Sequence, residues 1–398
     1  MKKVLFIIST LNGGGAERAI SNLSFKMSKE MKMHILVNSV SANDYPCQAK
    51  IISLGMKTVA KKNIFYQLVA FIKRIKSVSK LKREGNYDVC VSFLESANFV
   101  NILTGNKFSK IYVSVRNNLS EYADWRYKYI INTAARILYK KADKVISLSK
   151  GVEHDLIFNF RLNRDRVTTI YNGYDIDLIQ KMAEKEIEPE HKKIFSNDKR
   201  VFISIGRQTD QKGQWHLIRA FAEVNKKYPE THLVLLGQGE LRDYLEELVQ
   251  EFGLKEKIHF LGYISNPYRY IKRSFAFVFP SLFEGFGNAL VEALSCEIPV
   301  ISTDYRSGAR EILTEDVDIK KKNRDEIEFG DYGILVPVGT FRKFKAEDPL
   351  ENSEVLLARA MLQLIENQVL YEKYANVSLN GAKRFAMDKI ISQWYDIL

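Results

Sequence analysis

Cysteine is scarce in this chain of 398 residues, which holds only Cys47, Cys90 and Cys296. The three are widely separated, and no pair has the spacing of a zinc site or a disulfide framework. This scarcity indicates a reducing compartment. Cys296 lies in an apolar helical pattern and is interpreted as a core residue. We therefore expect no structural metal.

Long apolar runs are also missing. No stretch of about 18 apolar residues occurs, so we expect no segment to span a bilayer. The start, Met1-Lys2-Lys3 followed by the apolar run Val4 to Ile8, resembles a signal peptide. That run is too short and is soon interrupted by Asn12-Gly13-Gly14-Gly15, so a buried first strand is the better interpretation.

Basic residues, by contrast, are in excess. Sixty Lys and Arg residues against 48 Asp and Glu residues give a formal net charge of +12, with a pI of about 9.3. This excess favours an anionic partner, a class that includes nucleic acid, an anionic membrane face and a phosphorylated small molecule. The apolar fraction of 46% is ordinary for a folded protein, and the length predicts two domains.

Short apolar runs alternate with helical patterns along the chain, which predicts an α/β fold with parallel sheets covered on both faces. A polar segment at about 178–199 interrupts the alternation and is interpreted as a linker between two domains. Two further polar stretches, 314–329 and 342–352, are interpreted as surface loops of unknown purpose. The predicted strands are Val4–Ser9, His34–Ser39, Val89–Phe93, Ile111–Val115, Lys144–Leu148, Val201–Ile205, His232–Leu236, Ile258–Leu261, Phe275–Phe279, Val300–Ser302 and Ile334–Val336.

Residues that directly follow a strand are the first candidates for function, because open parallel sheets bind ligands at the carboxyl ends of their strands. In the glycine-rich loop Thr10 to Arg18, Gly14 and Gly15 permit a close backbone approach, and the next helix offers free amides to a phosphate. The loop is not a dinucleotide fingerprint, because Arg18 stands where the third glycine is required. A tight turn explains these glycines equally well, and the same holds for Gly239.

Two cations flank the loop that follows the strand Val201–Ile205. Arg207 and Lys212 lie five residues apart, between the strand end and the next helix. The planar fork of a guanidinium and the point charge of an ammonium together suit a diphosphate. Two solvated surface charges are the alternative, but the position at a strand end favours the diphosphate.

Two glutamates follow the strand Phe275–Phe279. Glu284 stands just before a helix predicted to start near Gly287, beside the first free amides of that helix. Glu292 is surrounded by apolar residues within the helix, so it either faces solvent or is buried and hydrogen-bonded. A buried carboxylate in this position would suit the hydroxyls of a ribose.

Taken in order along the chain, these motifs resemble the retaining glycosyltransferases of family four. Members of that family have the GT-B fold, in which two Rossmann-like α/β domains with parallel sheets face a central cleft. The likeness covers nearly the whole chain. The matching segments are Glu284 and Glu292 (the E-x7-E motif), Arg207 and Lys212 (the diphosphate pair), Gly13 to Glu17 (the first loop), and Tyr171-Asn172-Gly173 with Asp175 (near the interdomain crossing).

The resemblance implies a domain division and a set of roles. The first domain would be 1–180, completed by a C-terminal helix at about 382–398, and the nucleotide-sugar domain would be 195–380. Arg207, Lys212 and Glu284 would be catalytic, in a front-face substitution where the leaving phosphate takes the acceptor proton. The two glutamates would then not be an acid–base pair. Donor-binding residues would be Gly14, Gly15, Gly239, Phe286, Gly287, Asn288 and Glu292, with Glu292 on the ribose.

One residue of the family is missing. Many members carry a histidine in the cleft after the fourth strand of the first domain, but here that region reads Val113-Ser114-Val115-Arg116-Asn117-Asn118. We hypothesise that Arg116 replaces the histidine. With Asn117, it would contact the donor sugar or an acceptor phosphate.

A closer likeness is carried by the segments Ser265 to Tyr268, Phe283 to Phe286 and Ser307 to Glu311. They look most like bacterial enzymes that extend undecaprenyl-diphosphate-linked glycans. The implied reaction moves a hexose or N-acetylhexosamine, expected to come from a UDP-sugar, to a lipid-linked glycan in capsule, O-antigen or glycoprotein glycan assembly. The nucleotide sugar is then a substrate, and the resemblance implies no metal and no other cofactor. The expected location is the cytoplasm, at the inner face of the cell membrane.

The basic stretch Lys57 to Arg83 has the pattern of an amphipathic helix that suits an anionic membrane surface or a lipid diphosphate. A core-packed helix with a solvated basic face is the alternative. Trp125 to Lys141 is a second aromatic and basic stretch. In the first stretch the apolar residues are Ile64, Leu68, Phe71, Ile72 and Ile75, and the cations are Lys62, Lys73, Lys76, Lys80 and Arg83.

Other functions fit parts of the sequence. A nucleic-acid-binding protein would fit the charge, but the chain has no recognisable reading module, so we expect no nucleic-acid partner. A nucleotide-sugar epimerase of the same fold would use acid–base residues on both faces of the sugar and need no lipid acceptor. This enzyme and a non-catalytic nucleotide-sugar-binding protein are the alternatives.

Overall fold

The computed structural model describes residues 1–28, 30–56, 64–121, 125–196, 198–315, 317–318 and 325–398. The chain divides into two compact units. Unit 1 comprises Met1–Tyr174 and Met387–Leu398, and unit 2 comprises Asp175–Ala386. Residues 175–180, predicted to close the first domain, thus belong to unit 2, as does the predicted linker 178–199.

Unit 1 is built on the strands β1 (Lys3–Ile7), β2 (Lys32–Val37), β3 (Lys50–Ser53), β4 (Val89–Phe93), β5 (Lys110–Val115), β6 (Lys144–Ser147) and β7 (Val167–Thr169). They form one sheet in the order β3-β2-β1-β4-β5-β6-β7, and every neighbouring pair is parallel. The strand order reverses between β1 and β4. Ligands of such doubly wound sheets bind at this switch point.

Unit 2 contains the strands β8 (Arg200–Ile205), β9 (Thr231–Leu236), β10 (Ile258–Gly262), β11 (Ala276–Phe279), β12 (Val300–Thr303), β13 (Glu328–Phe329) and β14 (Ile334–Val336). They form a second sheet in the order β10-β9-β8-β11-β12-β14-β13. Its pairs are parallel apart from the edge pair β13–β14, which is antiparallel.

Helices cover the two sheets because their apolar faces pack on the buried strands. In unit 1, Trp394 is buried and lies 6.0 Å from the rings of both Phe6 and Phe93, so α14 completes the core of that unit. The α-helices are α1 (Gly15–Met27), α2 (Ile64–Gly85), α3 (Glu95–Leu103), α4 (Asn132–Leu138), α5 (Lys150–Phe158), α6 (Ile176–Ala183), α7 (Gln214–Lys227), α8 (Arg242–Glu251), α9 (Tyr268–Ile271), α10 (Asn288–Ser295), α11 (Ala309–Leu313), α12 (Asn352–Glu366), α13 (Gln368–Lys383) and α14 (Met387–Ile397).

Two Rossmann-like α/β domains with parallel sheets confirm the predicted fold class. Every predicted strand forms, with its ends shifted by up to two residues. The strands that the sequence did not predict are β3, β7 and β13, which have four, three and two residues. The last of these lies within the charged stretch 314–329, of which residues 316 and 319–324 are outside the described part of the chain.

The predicted amphipathic helix corresponds to α2, although Lys57 to Asn63, including Lys62, and the side chain of Ile64 lie outside the described residues. The apolar side chains of this helix differ in their exposure to solvent. Phe71 and Ile75 are half-buried, whereas Leu68 and Ile72 are exposed beside exposed cations. These cations are Lys73, Lys76, Lys80 and Arg83. Among the helices that the structure describes, none is long and apolar enough to cross a membrane.

Candidate functional site

Three loops of unit 2 leave the same edge of its sheet, because β8, β11 and β12 are parallel neighbours. They are residues 206–213, 280–287 and 304–308. The loops carry Arg207, Lys212 and Glu284, which the sequence singled out separately. Parallel strands thus bring residues that are distant in sequence to one edge.

Lys212 and Glu284 form an ion pair, in which Lys212 Nζ lies 2.5 Å from Glu284 Oε1. The two side chains are 18% and 13% exposed. Ser281 Oγ donates a hydrogen bond of 3.1 Å to the same carboxylate oxygen, and Lys212 Nζ lies 4.7 Å from the ring centre of Phe279. The pair therefore holds an ammonium group before α7 and a carboxylate before α10, each with little exposure to water.

The loops that carry this pair are also joined through their backbones. Gln211 Nε2 donates to the carbonyl of Phe283 at 3.0 Å, and the amide of Leu282 donates to the carbonyl of Gln211 at 2.8 Å. Gly213 has a φ of +54°, and a Cβ there would lie 2.5 Å from the carbonyl oxygen of Pro280. A side chain at this glycine would therefore separate the two loops.

Arg207 is exposed, and its side chain has no hydrogen-bond or ion-pair partner among the described residues. Its neighbour Gln208 is buried, and both atoms of its amide lack a partner in the described part of the chain. Gly239 lies against the backbone of Gln208, where a Cβ would collide with the carbonyl. A close approach of two backbones thus accounts for Gly239, whereas nothing in the sequence singled out Gln208.

The start of α10 is fixed by glycines of two loops. The hydroxyl of Tyr305 donates to the carbonyl of Phe286 at 3.0 Å. A Cβ on Gly287, whose φ is +101°, would collide with that hydroxyl, and one on Gly308 would collide with the carbonyl of Phe286. This interlocking sets where α10 begins, at Asn288, and so where its first amides lie. Phe286, Gly287 and Asn288 thus connect Glu284 to the first turn of α10, and that they bind the donor stays a prediction.

Glu292 is buried on α10, with 6% of the residue exposed. The hydroxyl of Tyr268 donates to its Oε1 at 3.3 Å. Of the two sequence interpretations, the buried and hydrogen-bonded carboxylate is confirmed and the solvent-facing one is wrong.

In unit 1, the glycine-rich loop leads from β1 into α1. Gly13 has a φ of +82°, and Gly14 is the residue before the helix. Glu17 lies in the first turn and is buried, and its carboxylate lies so close to Gly14 that a Cβ there would collide with Oε2. The positive end of the helix therefore already faces a carboxylate. That Gly14 and Gly15 bind a phosphate stays a prediction.

Arg116 follows β5 and is buried. One of its Nη atoms donates to Ser114 Oγ at 3.4 Å and the other to Asn172 Oδ1, and its guanidinium lies 5.2 Å from the ring centre of Phe93. Burial lowers its pKa to about 10, with opposing contributions from Tyr174 and Glu17. The structure thus joins Arg116 to the Asn172-Gly173 segment, while Asn117 is half-buried beside it.

The described carboxylates do not include an ion-pair partner for Arg116, whose Nε also has no hydrogen-bond acceptor among these residues. A buried guanidinium whose hydrogen-bond partners are neutral is costly, because it loses hydration and is compensated here only by the electrostatic contribution of Glu17 and Tyr174. Arg116 therefore has the capacity to bind an anionic or polyhydroxyl ligand.

Two family models match the chain. The model described as Glycosyltransferase Family 4 matches residues 13–178, and the model described as Glycosyl transferases group 1 matches residues 186–329. The second match contains Arg207, Lys212, Glu284 and Glu292, and the first contains the glycines of the glycine-rich loop and Arg116. Each unit is thus matched over much of its length by a glycosyltransferase model.

Curated relatives and solved structures agree with these matches. An uncharacterised glycosyltransferase of Methanocaldococcus jannaschii is 37% identical, over 87% of this chain and 86% of its own. The N-acetylgalactosamine-N,N'-diacetylbacillosaminyl-diphospho-undecaprenol 4-alpha-N-acetylgalactosaminyltransferase of Campylobacter jejuni is 30% identical, over 98% and 97%. The crystal structure of Anabaena HepE in complex with UDP and glucose has the same fold, with a TM-score of 0.74, 18% identity and coverage of 100% and 99%. The chain belongs to the group 1 glycosyltransferases, and its two domains are those of the GT-B fold.

Proposed function

We propose that the protein moves a hexose or N-acetylhexosamine from a UDP-sugar to a lipid-diphosphate-linked glycan, with retention of the anomeric configuration, in the assembly of a bacterial surface polysaccharide or glycan. The observation that carries the proposal is the Lys212–Glu284 ion pair beside the start of α10, with the buried Glu292 on the same helix. The loop that carries Lys212 is thus held beside the short segment 284–292, which carries the carboxylates that we assign to the donor sugar and to the ribose. The acceptor class is supported by the name of the Campylobacter jejuni relative, and the UDP donor by the HepE complex.

The roles follow from charge and position. Arg207 and Lys212 bind the diphosphate and stabilise the negative charge that grows as it leaves, which is often the largest contribution to catalysis. Glu284 binds hydroxyls of the donor sugar, Glu292 binds the ribose, and the amides of Phe286, Gly287 and Asn288 bind the sugar and phosphates. We also propose that Gly14, Gly15 and Gly239 bind the donor, because a glycine has no side chain and lets the backbone approach the ligand closely.

The reaction is a substitution at the anomeric carbon. The bond from this carbon to the diphosphate oxygen breaks, and a bond to the acceptor hydroxyl oxygen forms on the same face of the sugar. The acceptor proton passes to an oxygen of the leaving diphosphate, so no side chain has to act as the general base. The step needs no cofactor, because the nucleotide sugar supplies the leaving group.

A donor panel with and without acceptor tests this function. Radiolabelled UDP-glucose, UDP-galactose, UDP-N-acetylglucosamine and UDP-N-acetylgalactosamine would each be incubated with an undecaprenyl-diphosphate-linked glycan. We expect transfer that requires the acceptor, and an α-linked product by NMR. Conversion of the free donor to its epimer would replace the proposal with an epimerase. Nucleotide binding, seen as thermal stabilisation, without turnover of any donor would indicate a binding protein.

Arg116 is proposed to take the place of the family histidine and, with Asn117, to contact the donor sugar or an acceptor phosphate. We expect Arg116→Ala to lower kcat/KM by roughly 10- to 100-fold, because a hydrogen bond to a charged group contributes about 1.5–3 kcal/mol. Steady-state kinetics with donor and acceptor varied separately would show which substrate it contacts. The variant Arg116→His, which introduces the family residue, should keep more activity. Unchanged turnover and affinities in Arg116→Ala would exclude the contact.

We also propose that the protein binds the anionic inner face of the cell membrane through unit 1. The exposed Leu68 and Ile72 lie beside the exposed cations of α2. The second basic stretch exposes Trp125, Tyr129, Ile130 and Ile137 in the same unit. Apolar side chains flanked by cations are suited to such a surface. Co-sedimentation with phosphatidylglycerol vesicles at low salt tests this, and failure to bind would argue against it.

A further inference from the structure

The connection between β14 and α12, residues 337–351, leaves the same edge of the sheet as the loops of the candidate site, since β12 and β14 are parallel. The sequence predicted a surface loop at 342–352. The structure shows a segment with a buried inner side instead. Phe344 is only 5% exposed, and the backbone around it is bound by side chains of α7 and α8. Tyr244 accepts from the amide of Phe344 at 3.0 Å and donates to its carbonyl at 2.7 Å.

Arg219 on α7 is the centre of this anchor and is fully buried. Its Nε donates to the carboxylate of Glu354 at 2.9 Å. Its Nη atoms donate to three backbone carbonyls of the connection: Lys345, Asp348 at 3.0 Å and Pro349 at 2.9 Å. Because all three Arg219 nitrogens are used and the charge is balanced by Glu354, this arrangement fixes the connection on α7.

His216, one turn earlier on α7, adds a second attachment. Its Nδ1 lies 2.8 Å from Glu354 Oε1, and its Nε2 lies 2.8 Å from the carbonyl oxygen of Thr340. Side chains of His216, Glu351 and Glu354 also have the spacing of a metal site. Since Arg219 already neutralises Glu354, we assign the cluster to anchoring the connection and not to a cation.

The outer side of the connection touches two of the three loops of the candidate site, residues 206–213 and 280–287. Lys343 Nζ lies 3.1 Å from Asp210 Oδ1, two residues before Lys212. The ring centre of Phe341 lies 6.0 Å from that of Phe283, the residue before Glu284. All of these contacts are partly exposed: the side chains of Lys343 and Asp210 are 44% and 56% exposed, and Phe341 is 52% exposed.

We propose that Lys343 and Phe341 are positioning residues of the donor site. Through Asp210 and Phe283, they hold the two loops in the arrangement that keeps Lys212 and Glu284 paired. Exposed contacts of this kind are weak when both partners are free, because each side chain loses entropy on pairing. Here the buried anchor on Arg219 already fixes one partner, so less entropy is lost. The inference rests on the proposed function, because it assigns the loops to donor binding.

The test compares two lysines of the same connection. We expect Lys343→Ala to weaken UDP binding, measured by titration calorimetry, by about threefold to fivefold, with a matching fall in kcat/KM for the UDP-sugar. Lys345→Ala removes the same charge two residues away, from an exposed side chain with no hydrogen-bond or ion-pair partner in the described chain, and should bind UDP like the wild type. Lys343→Arg should retain UDP binding.

Phe341→Ala should weaken UDP binding by roughly threefold to tenfold. Melting temperatures of all four variants should stay within about 2 °C of the wild type.

A double-substitution cycle separates positioning from a direct contact with the ligand. In an Asp210→Asn background, Lys343→Ala should have no further effect, because its partner is already lost. A full effect in that background would mean that Lys343 binds the nucleotide itself, and would overturn the proposal. Equal UDP affinity of Lys343→Ala and Lys345→Ala would also overturn it. If the wild type binds no UDP, then the proposed donor is wrong, an outcome distinct from the other two.

Discussion

Replacing Lys212 with alanine is expected to lower kcat by roughly 10²–10³-fold, the usual cost of losing one charge-stabilising group in an active site. The physical reason is the environment of its ammonium group. Only 18% of the side chain is exposed, and Nζ is held 2.5 Å from Glu284 Oε1. In this setting the charge is less screened than in water and is already in place when the diphosphate begins to leave. Single-turnover kinetics with a saturating UDP-sugar would measure the effect on the chemical step.

The matched control for this substitution is Lys226→Ala. Lys226 also lies on unit 2 and is also paired with a glutamate, at 2.6 Å from Glu223, but its side chain is 67% exposed. We expect no change in kcat, because an exposed pair contributes little. The kcat of Lys212→Arg should lie between those of Lys212→Ala and the wild type, since a guanidinium keeps the charge but not the compact shape of an ammonium. If Lys212→Ala retained more than about a fifth of the wild-type kcat, its assignment as a catalytic cation would be wrong.

Substituting Gly308 by alanine is expected to cost unit 2 about 2–4 kcal/mol in free energy of unfolding. The residue has a φ of +106°, and a Cβ would collide with the carbonyl of Phe286. Relief of the collision would move Phe286, and with it the start of α10 beside Glu284. We therefore expect UDP binding to be lost together with stability. Urea unfolding of the variant, followed with and without UDP, measures both effects.

Gly253 provides a comparison in which an added Cβ meets a positive φ but no collision. Its φ is +68°, and no heavy atom would lie within 4 Å of an added Cβ. Gly253→Ala should therefore cost only about 1 kcal/mol, the ordinary cost of a positive φ for a residue with a side chain. Similar losses of stability in the two variants would show that the contact of Gly308 with Phe286 does not matter.

The strands could be predicted from sequence because a buried parallel strand is a continuous apolar run. Phe275–Phe279 is such a run, and Val201–Ile205 is interrupted only by Ser204; both form strands. The strand β7, Val167–Thr169, could not be recognised, because two of its three residues carry hydroxyls. The edge strand β13 has only two residues, too few to form a recognisable pattern. It is extended because it pairs with β14.

The candidate site could be predicted as a set of residues but not as a set of contacts. Periodicity and strand ends located Lys212 and Glu284, yet they are 72 residues apart, and only the pairing of β8 with β11 brings their loops together. The same is true of Arg116 and Asn172, which are 56 residues apart. The anchoring of the 342–352 stretch was missed for another reason. Its backbone carbonyls accept hydrogen bonds from Arg219. Because every residue has a backbone carbonyl, the sequence does not show which of them do so.

Helix α14 gives the protein an unusual order of folding during synthesis. The core of unit 1 includes Trp394, which packs on Phe6 and Phe93, but the whole of unit 2 lies between these residues in the chain. At about 5–20 residues per second, a ribosome needs about 10–40 s to make residues 175–386. During that time unit 1 has an unfilled apolar surface, while unit 2 can fold without waiting. Unit 1 is therefore the first unit to be started and the last to be completed. Its apolar surface must be protected from aggregation in the interval.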